Sequence, residues 1–460
     1  MNMLRDNGFH APIKFGGSGV SDSHDVNLGN WVKPRSLPRS LNLFFTYNLL
    51  LKQLRSHQSR AIDAMKLSNK GCIYVPTGGG KTAIMIEDLK GRMIPPYSPF
   101  TAVIVAPRIL LAQQLCEEFI TEVPNVKVLH VHSGETKYDK ETKPEFITNW
   151  VSRHPQYTKL IFTTYHSLHK ICDSMVNINV LYCDEAHNST SKNHFVGIST
   201  VKSNSSYFFT ATPKYSRGNN ERGMNNSDVY GNTLISVPAP ELVKNGTILP
   251  PLIDIHETNE TRTKYNAPEI DKKVILNIIK NIKTNLSPKI LVAAPNTTIL
   301  WNMLTKSNII SSLKKQGYDI MHITSKHGAY INTKKVNRQV FFDTLKEWGD
   351  DDDRKFVLFH YSILSEGINV PGLTHTVLLR NLPIIEMAQT IGRVIRLHKY
   401  DYNNIHNNTI EAGNVKQYHK KHGVVTVPIN SKSSVATRNR LQKLIELIFE
   451  DGLTAHSFAY

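Results

Sequence analysis

The stretch that most constrains this chain is Gly71 to Ile86, GCIYVPTGGGKTAIMI. Cys72 to Val75 is a short apolar, partly β-branched run of the kind that forms a buried strand. It breaks at Pro76-Thr77-Gly78-Gly79-Gly80 and resumes as an apolar run suited to a helix, with Lys81 and Thr82 at the turn. Three glycines let the backbone curl until several N–H groups face one point. The helix that follows adds the positive end of its dipole. Such a turn is a phosphate cradle, with Lys81 in reach of β- and γ-phosphates and the Thr82 hydroxyl a ligand for Mg²⁺. Val75 stands where the common pattern has its first glycine.

The chain has 460 residues, too many for one core, so two or three domains are expected. A net charge of +17 favours a polyanionic partner, nucleic acid or an anionic membrane face. None of the four cysteines forms a C-x-x-C pair, and three lie in apolar runs, which suits packed thiols in a reducing compartment. No apolar run reaches the length of a membrane span, and no signal-peptide core is visible, so an intracellular protein is expected.

Beyond the cradle, strands alternate with helices. TAVIVA (101–106), 126–132, 160–164, VLYC (180–183) and 206–210 read as strands. The alternation predicts an α/β fold with a mainly parallel sheet wrapped by helices. Ligands of such sheets sit at the carboxyl ends of the strands. Asp184-Glu185 and Thr210-Ala211-Thr212 both follow strand ends, as the cradle does, so all three can converge. Asp184 is placed to hold Mg²⁺ and Glu185 to orient or deprotonate an attacking water. Gln58, one helix upstream of the loop, carries an amide able to pair with an adenine edge.

After a Pro-rich boundary near residue 250, the alternation repeats. Helices are expected over 270–282, 298–313 and 333–348, strands over 289–294, 319–324, 356–360 and 374–379, and a helix through Ile395. Arg393 and Arg396 are three apart and share a helix face. Two arginines among apolar residues are costly unless they meet an anion, and a γ-phosphate from the other domain fits. The expected organisation is an extension (1–50), a first nucleotide-binding domain (51–250), a second domain (251–425) and a basic tail (426–460). That tail region, with Lys416, Lys420, Lys421, Lys432, Arg438 and Arg440, is a candidate for phosphate contacts.

The ordered set Arg55/His57/Gln58, Pro76 to Thr82, Pro107-Arg108, DEAH (184–187), Thr210-Ala211-Thr212, Glu366-Gly367-Ile368 and Gln389 to Arg396 resembles superfamily 2 helicases with a DEAH box, over residues 51 to 400. The segment 230–251 resembles the restriction-motor and repair-helicase branches. IGRVIRLHK (391–399) resembles phage helicases of the UvsW type. The resemblance implies two tandem RecA-like domains driven by ATP and Mg²⁺. It assigns Gln58 to adenine, Pro76, Thr77, Gly78, Gly79, Gly80, Lys81 and Thr82 to phosphates, and Thr82 with Asp184 to the metal. Glu185 would activate water, while Gln389, Arg393 and Arg396 would sense the γ-phosphate. His187, Thr210 and Thr212 would couple the site to strand movement. Gly367 and Asn369 would lie near the ribose, where such families carry Asp at the second position. Arg108 and Thr164 would meet the nucleic-acid backbone. A monomeric DNA motor is the expectation, without a membrane partner. The alternatives are an RNA helicase, the motor of a restriction system, or a scaffold using ATP only as a switch.

Overall fold

The computed structural model describes residues 54–93, 99–218, 221–361, 370–430 and 432–459, all within one compact unit, Leu54–Tyr460. The extension (1–50) and the predicted residues Glu366, Gly367 and Asn369 lie outside the described residues.

The first domain is built on a sheet of β1 (Lys70–Tyr74), β2 (Thr101–Ala106), β3 (Val126–Val131), β4 (Asp139–Lys140), β5 (Thr158–Thr164), β6 (Val180–Cys183), β7 (Ser205–Thr210) and β9 (Asn232–Ser236). Its order is β4-β3-β5-β2-β6-β7-β1-β9, with β8 (Lys214–Ser216) outside it. Every pairing is parallel. The central strands are buried along their whole length, hence their near-continuous Val, Ile and Phe runs.

The second sheet holds β10 (Pro251–Glu257), β11 (Lys289–Ala293), β12 (Asp319–Thr324), β13 (Gly328–Ile331), β14 (Lys334–Val336), β15 (Phe356–His360), β16 (His375–Leu378) and β17 (Gly423–Ile429), in the order β10-β17-β16-β11-β15-β12-β13-β14. It is parallel except for the hairpins β12–β13 and β13–β14. Two RecA-like α/β domains in tandem are thus present. Strand β17 carries this sheet past residue 425, where a tail was expected to begin. The final strand, β18 (Ser457–Ala459), pairs in parallel with β8 of the first domain.

Two helices differ from the sequence reading. The segment 298–313 is split into Thr297–Lys306 and Ile309–Lys315, because the Ser307 hydroxyl donates to Met303 O at 2.6 Å and accepts from Ile309 N at 3.2 Å. The helix expected from 333 starts at Arg338, since Asn337 caps it by accepting from Val340 N at 2.8 Å, and β14 takes the preceding residues.

One apolar cluster runs through both domains. It joins Ile84, Leu242 and Ile248 of the first to Met387, Ile391 and Val394 of the second. The cleft between the domains is therefore closed on one side by packed side chains rather than by water.

Candidate active site

The cradle forms as the sequence suggests, for reasons visible atom by atom. Gly78 and Gly80 have φ of 88° and 85°, a left-handed backbone that a side chain would strain. A Cβ on Gly79 would lie 2.5 Å from Val75 Cγ1, too close for any residue but glycine. The loop then enters the helix Lys81–Arg92, with Gly80 as its N-cap. His57 Nε2 lies 2.8 Å from Gly79 O and pins the loop from behind. Gln58 is buried against Gly80, and its Oε1 accepts from Arg55 N at 3.0 Å.

Four strand ends converge on the loop. Val75 N donates to Thr210 O at 3.1 Å, and Asp184 N to Val105 O at 2.8 Å. Glu185 sits in a left-handed conformation (φ 45°, ψ 52°), an uncommon strain for a residue with a side chain. Its Oε1 is 3.5 Å from Lys81 Nζ, and its Oε2 is 3.5 Å from His187 Nδ1. His187 Nδ1 is also 2.8 Å from Thr210 Oγ1, and Thr212 N donates to that hydroxyl at 3.1 Å. Lys81, Glu185, His187, Thr210 and Thr212 are therefore one connected network.

The electrostatics separate the two carboxylates. Burial, with the charge of Glu185 beside it, pushes Asp184 up to about 7. Burial also works against the charge on Glu185, but Lys81, His187 and Arg393 outweigh it and hold that carboxyl below its usual range. Burial takes His187 down to about 4, so its ring is neutral at pH 7. Asp184 Oδ1 is buried without a hydrogen bond among the described residues. An acidic oxygen of that kind, next to the cradle, suits a hard divalent cation, and Thr82 supplies a hydroxyl near the same helix end.

The second domain contributes the helix Ile384–Val394. It lies directly on the cradle: a Cβ on Gly392 would come 2.3 Å from Thr77 Cβ. One residue on, Arg393 is buried, 4% exposed, and close enough to Glu185 for each to shift the other's ionisation. Burial, with Arg396 beside it, brings its guanidinium down to about 10. Gln389 is buried one turn earlier, and its carbonyl accepts from Arg393 Nη1 at 3.3 Å. The helix end is fixed by Leu249 N donating to Ile395 O at 2.7 Å and by an isolated bridge between Ile248 and Arg396.

Two residues near the site escape a sequence reading. Tyr402 of the second domain lies under the Arg55 guanidinium, 5.6 Å from the ring centre, and the Arg55 backbone N–H in turn donates to Gln58 Oε1. Lys420 does not belong to an exposed basic patch, as the tail reading proposes. It is 4% exposed, and its Nζ donates to the carbonyls of Leu373, Val394 and Arg396 at 2.6, 2.7 and 2.8 Å. Arg440 Nη1 likewise donates to Leu382 O at 2.8 Å. Nothing in the sequence distinguishes either from the lysines and arginines around it.

Arg108 follows β2, and Thr164 ends the adjacent strand β5, where it pairs with Ala106. Arg108 is exposed, and it interacts electrostatically with Arg338 of the second domain.

Residues 51–215 match the family of the type III restriction enzyme, res subunit, and residues 272–398 match the helicase conserved C-terminal domain. These two domains in this order indicate a superfamily 2 helicase. Among solved structures it is similar to the ATP-dependent type ISP restriction-modification enzyme LlaBIII bound to DNA, with a TM-score of 0.65 and 14% identity over 88% of this chain and 31% of that one. It is also similar to Saccharomyces cerevisiae Dbp5 bound to RNA and ADP BeF3 (0.54, 15%, 91% and 92%). A third is Mss116p bound to ssRNA and AMP-PNP (0.58, 14%, 92% and 78%). At such identities the likeness is one of fold. The chain spans less than a third of the length of the type ISP enzymes it resembles. No curated protein matches the sequence. Among the described residues, no helix is long and apolar enough to cross a membrane.

Proposed function

We propose that this chain is an ATP-driven DNA translocase or helicase of the DEAH type, working as a monomer in replication, recombination or repair. The observation that carries the reading is the seating of Gly392 on Thr77, which delivers Arg393 to the network of Lys81 and Glu185. A site divided between two domains couples hydrolysis to their relative movement.

In this reading Pro76 to Gly80 wrap the phosphates with backbone N–H groups, and Lys81 moves from Glu185 to the β- and γ-phosphates when ATP enters. Released from that ion pair, Glu185 accepts the proton of the attacking water. Thr82 and Asp184 would hold Mg²⁺, which when bound would neutralise phosphate charge. Arg393 and Arg396, with Gln389, stabilise charge on the γ-phosphate from the second domain. His187, Thr210 and Thr212 carry the state of Glu185 to the β6 and β7 ends. Gln58 would turn its amide to adenine. Gly367 and Asn369 are proposed at the ribose, and Arg108 and Thr164 at the nucleic-acid backbone.

DNA is preferred over RNA on the DEAH sequence and the segment 230–251. The test is steady-state ATP hydrolysis with no nucleic acid, single-stranded DNA, branched DNA and RNA, beside Lys81→Ala and Arg393→Ala. Stimulation by DNA, lost in Lys81→Ala, is expected. Arg393→Ala should lower kcat by about 10³-fold while ATP binding persists. Greater stimulation by RNA would make it an RNA helicase, and turnover retained in Arg393→Ala would sink the finger assignment.

A further inference from the structure

The second domain carries an aromatic stack that the ATP site does not use. Trp301 and His327 lie face to face, with ring centres 4.0 Å apart and planes 6° from parallel. Beneath them His322 and Tyr330 form a second stack at 4.6 Å and 12°. The local sequence explains the geometry. β12 and β13 pair Thr324 with Gly328, leaving Ser325, Lys326 and His327 as a tight turn. His327 N donates to Thr324 Oγ1 at 3.0 Å, and Gly328 has the left-handed φ of 85° that such a turn needs. Trp301 comes from the helix Thr297–Lys306, which packs over the same face. The upper pair is only partly buried, whereas His322 is 3% exposed.

Two lysines flank the stack. Lys326 is exposed on the turn, and Lys335, exposed on β14, pairs with Tyr330 and shares its face, whereas Lys334 pairs with Ile331 on the other face. The Lys335 stem lies over the turn, its Cε 3.4 Å from where a Gly328 Cβ would be. Among the described residues neither Lys326 nor Lys335 forms a salt bridge with an acid. Uncompensated cations around a flat, half-open aromatic face suit a ligand with phosphates and planar rings.

Its position points the same way. β15 pairs His360 with Ala293 of β11 and with Ile323 of β12, so the chain leaves all three strands at one rim. That rim adjoins the ATP cleft, because His360 interacts electrostatically with Arg393. The helix after β14 presents Arg338, which interacts with Arg108 of the first domain.

We propose that Trp301 and His327 form a base-stacking ledge for single-stranded nucleic acid, with Lys326 and Lys335 holding the flanking phosphates. This rests on the motor reading above and names a grip by which the second domain holds its track. Stacking and phosphate contacts separate by salt dependence. Losing a stacked base lowers affinity without changing the salt slope, whereas each phosphate contact removed flattens the slope by about 0.7 for a single strand.

The experiment is anisotropy of fluorescently labelled oligodeoxythymidylate and oligouridylate with the full chain, titrated across salt concentrations. Trp301→Ala should bind about tenfold more weakly with an unchanged slope, and Trp301→Phe should recover most of the loss. His327→Ala, at an exposed turn where folding is not at stake, should lose a smaller factor. Lys326→Gln with Lys335→Gln should flatten the slope. If wild type binds and Trp301→Ala and His327→Ala bind equally well, the ledge is wrong and the motor reading stands. If wild type binds neither oligomer, both fall.

Discussion

At the scale of single residues, the site depends on groups whose ordinary behaviour is reversed by burial. Arg393 is a guanidinium inside an apolar helix face, tolerable because Glu185 stands across the cleft and a phosphate would stand between them. Tyr402 is the complementary case, a residue with no special sequence context placed under Arg55, whose backbone N–H bonds Gln58. An aromatic face there suits the flat base of a nucleotide. Tyr402→Ala should raise KM for ATP about fivefold with kcat little changed, since stacking contacts contribute about 1 kcal/mol. Tyr402→Phe should restore KM, and an unchanged KM in the alanine variant would remove Tyr402 from the site. The contrast marks what is legible. Lys81, Asp184 and Glu185 can be placed from sequence because a phosphate cradle and a strand-end acid need those types at those spacings. Tyr402 cannot, because its role is set by where a helix of the other domain comes to rest. His360 is a buried ring at the end of β15, driven down to about 3 by burial and by nearby Arg393 and Arg380.

At the scale of elements, the helix Ile384–Val394 presents only one of the two arginines expected to share its face: Arg393 is in its last turn, whereas Arg396 lies two residues past its end, in a bridge with Ile248. Helix geometry leaves the carbonyl of Val394 at its far end without an internal partner, and that of Arg396 follows just beyond. Lys420 satisfies both and adds Leu373 O, so a single ammonium joins the end of this helix to the strand entry at 373. Asp401 fixes the lysine in turn by accepting from Lys420 N at 2.9 Å and His419 N at 2.6 Å. Lys420→Met removes the donor and leaves buried carbonyls unpaired, with a loss of stability on the order of 3 kcal/mol. The expected result is a lower Tm together with a fall in kcat larger than any rise in KM, because in the proposed mechanism the arginines act in the transition state. Full kcat at saturating ATP in a folded Lys420→Met protein would separate the lysine from the arginines. Buried strands were readable as apolar runs, and β1, β2, β6, β7, β11 and β15 are all visible that way. Edge strand β10 and its neighbour β17 were not. They alternate or carry proline, and Pro251 and Pro428 both read as chain breaks. The acidic run after Trp348 reads as a solvated loop, yet Asp352 accepts from His398 Nε2 and Lys399 Nζ at 3.1 Å each, so it braces the chain just beyond the arginines.

At the scale of the whole molecule, the chain crosses between its two domains twice. The first crossing is the segment from Leu242 to Pro251. The second is made at the C-terminal side, where the helix Lys432–Ile445 packs on the second domain through Leu441 and Leu444 and the chain then returns to the first. Thr454 and Ser236 hydroxyls meet at 2.8 Å, Ala455 is buried, and β18 pairs with β8. Arg217 of the first domain covers the Phe458 ring at 3.9 Å. Phe449 and Ala455 also line a small pocket with Thr77, Thr212 and Gly392, so this return lies against the ATP cleft itself. A second covalent path acts as a tether. It raises the effective concentration of one domain at the other and so lowers the entropy lost when ATP closes the cleft. Truncation after Asp451 removes β18 but leaves the helix and its buried leucines. Steady-state kinetics should then show KM for ATP raised by about three- to tenfold with kcat at saturation preserved. Small-angle scattering of the same protein without nucleotide should show a larger radius of gyration than wild type. An unchanged KM and radius would mean that the apolar cluster shared by the domains holds the cleft without help. A raised kcat would mean that the return strand restrains opening for product release, and the tether would then set the cycle time rather than the affinity.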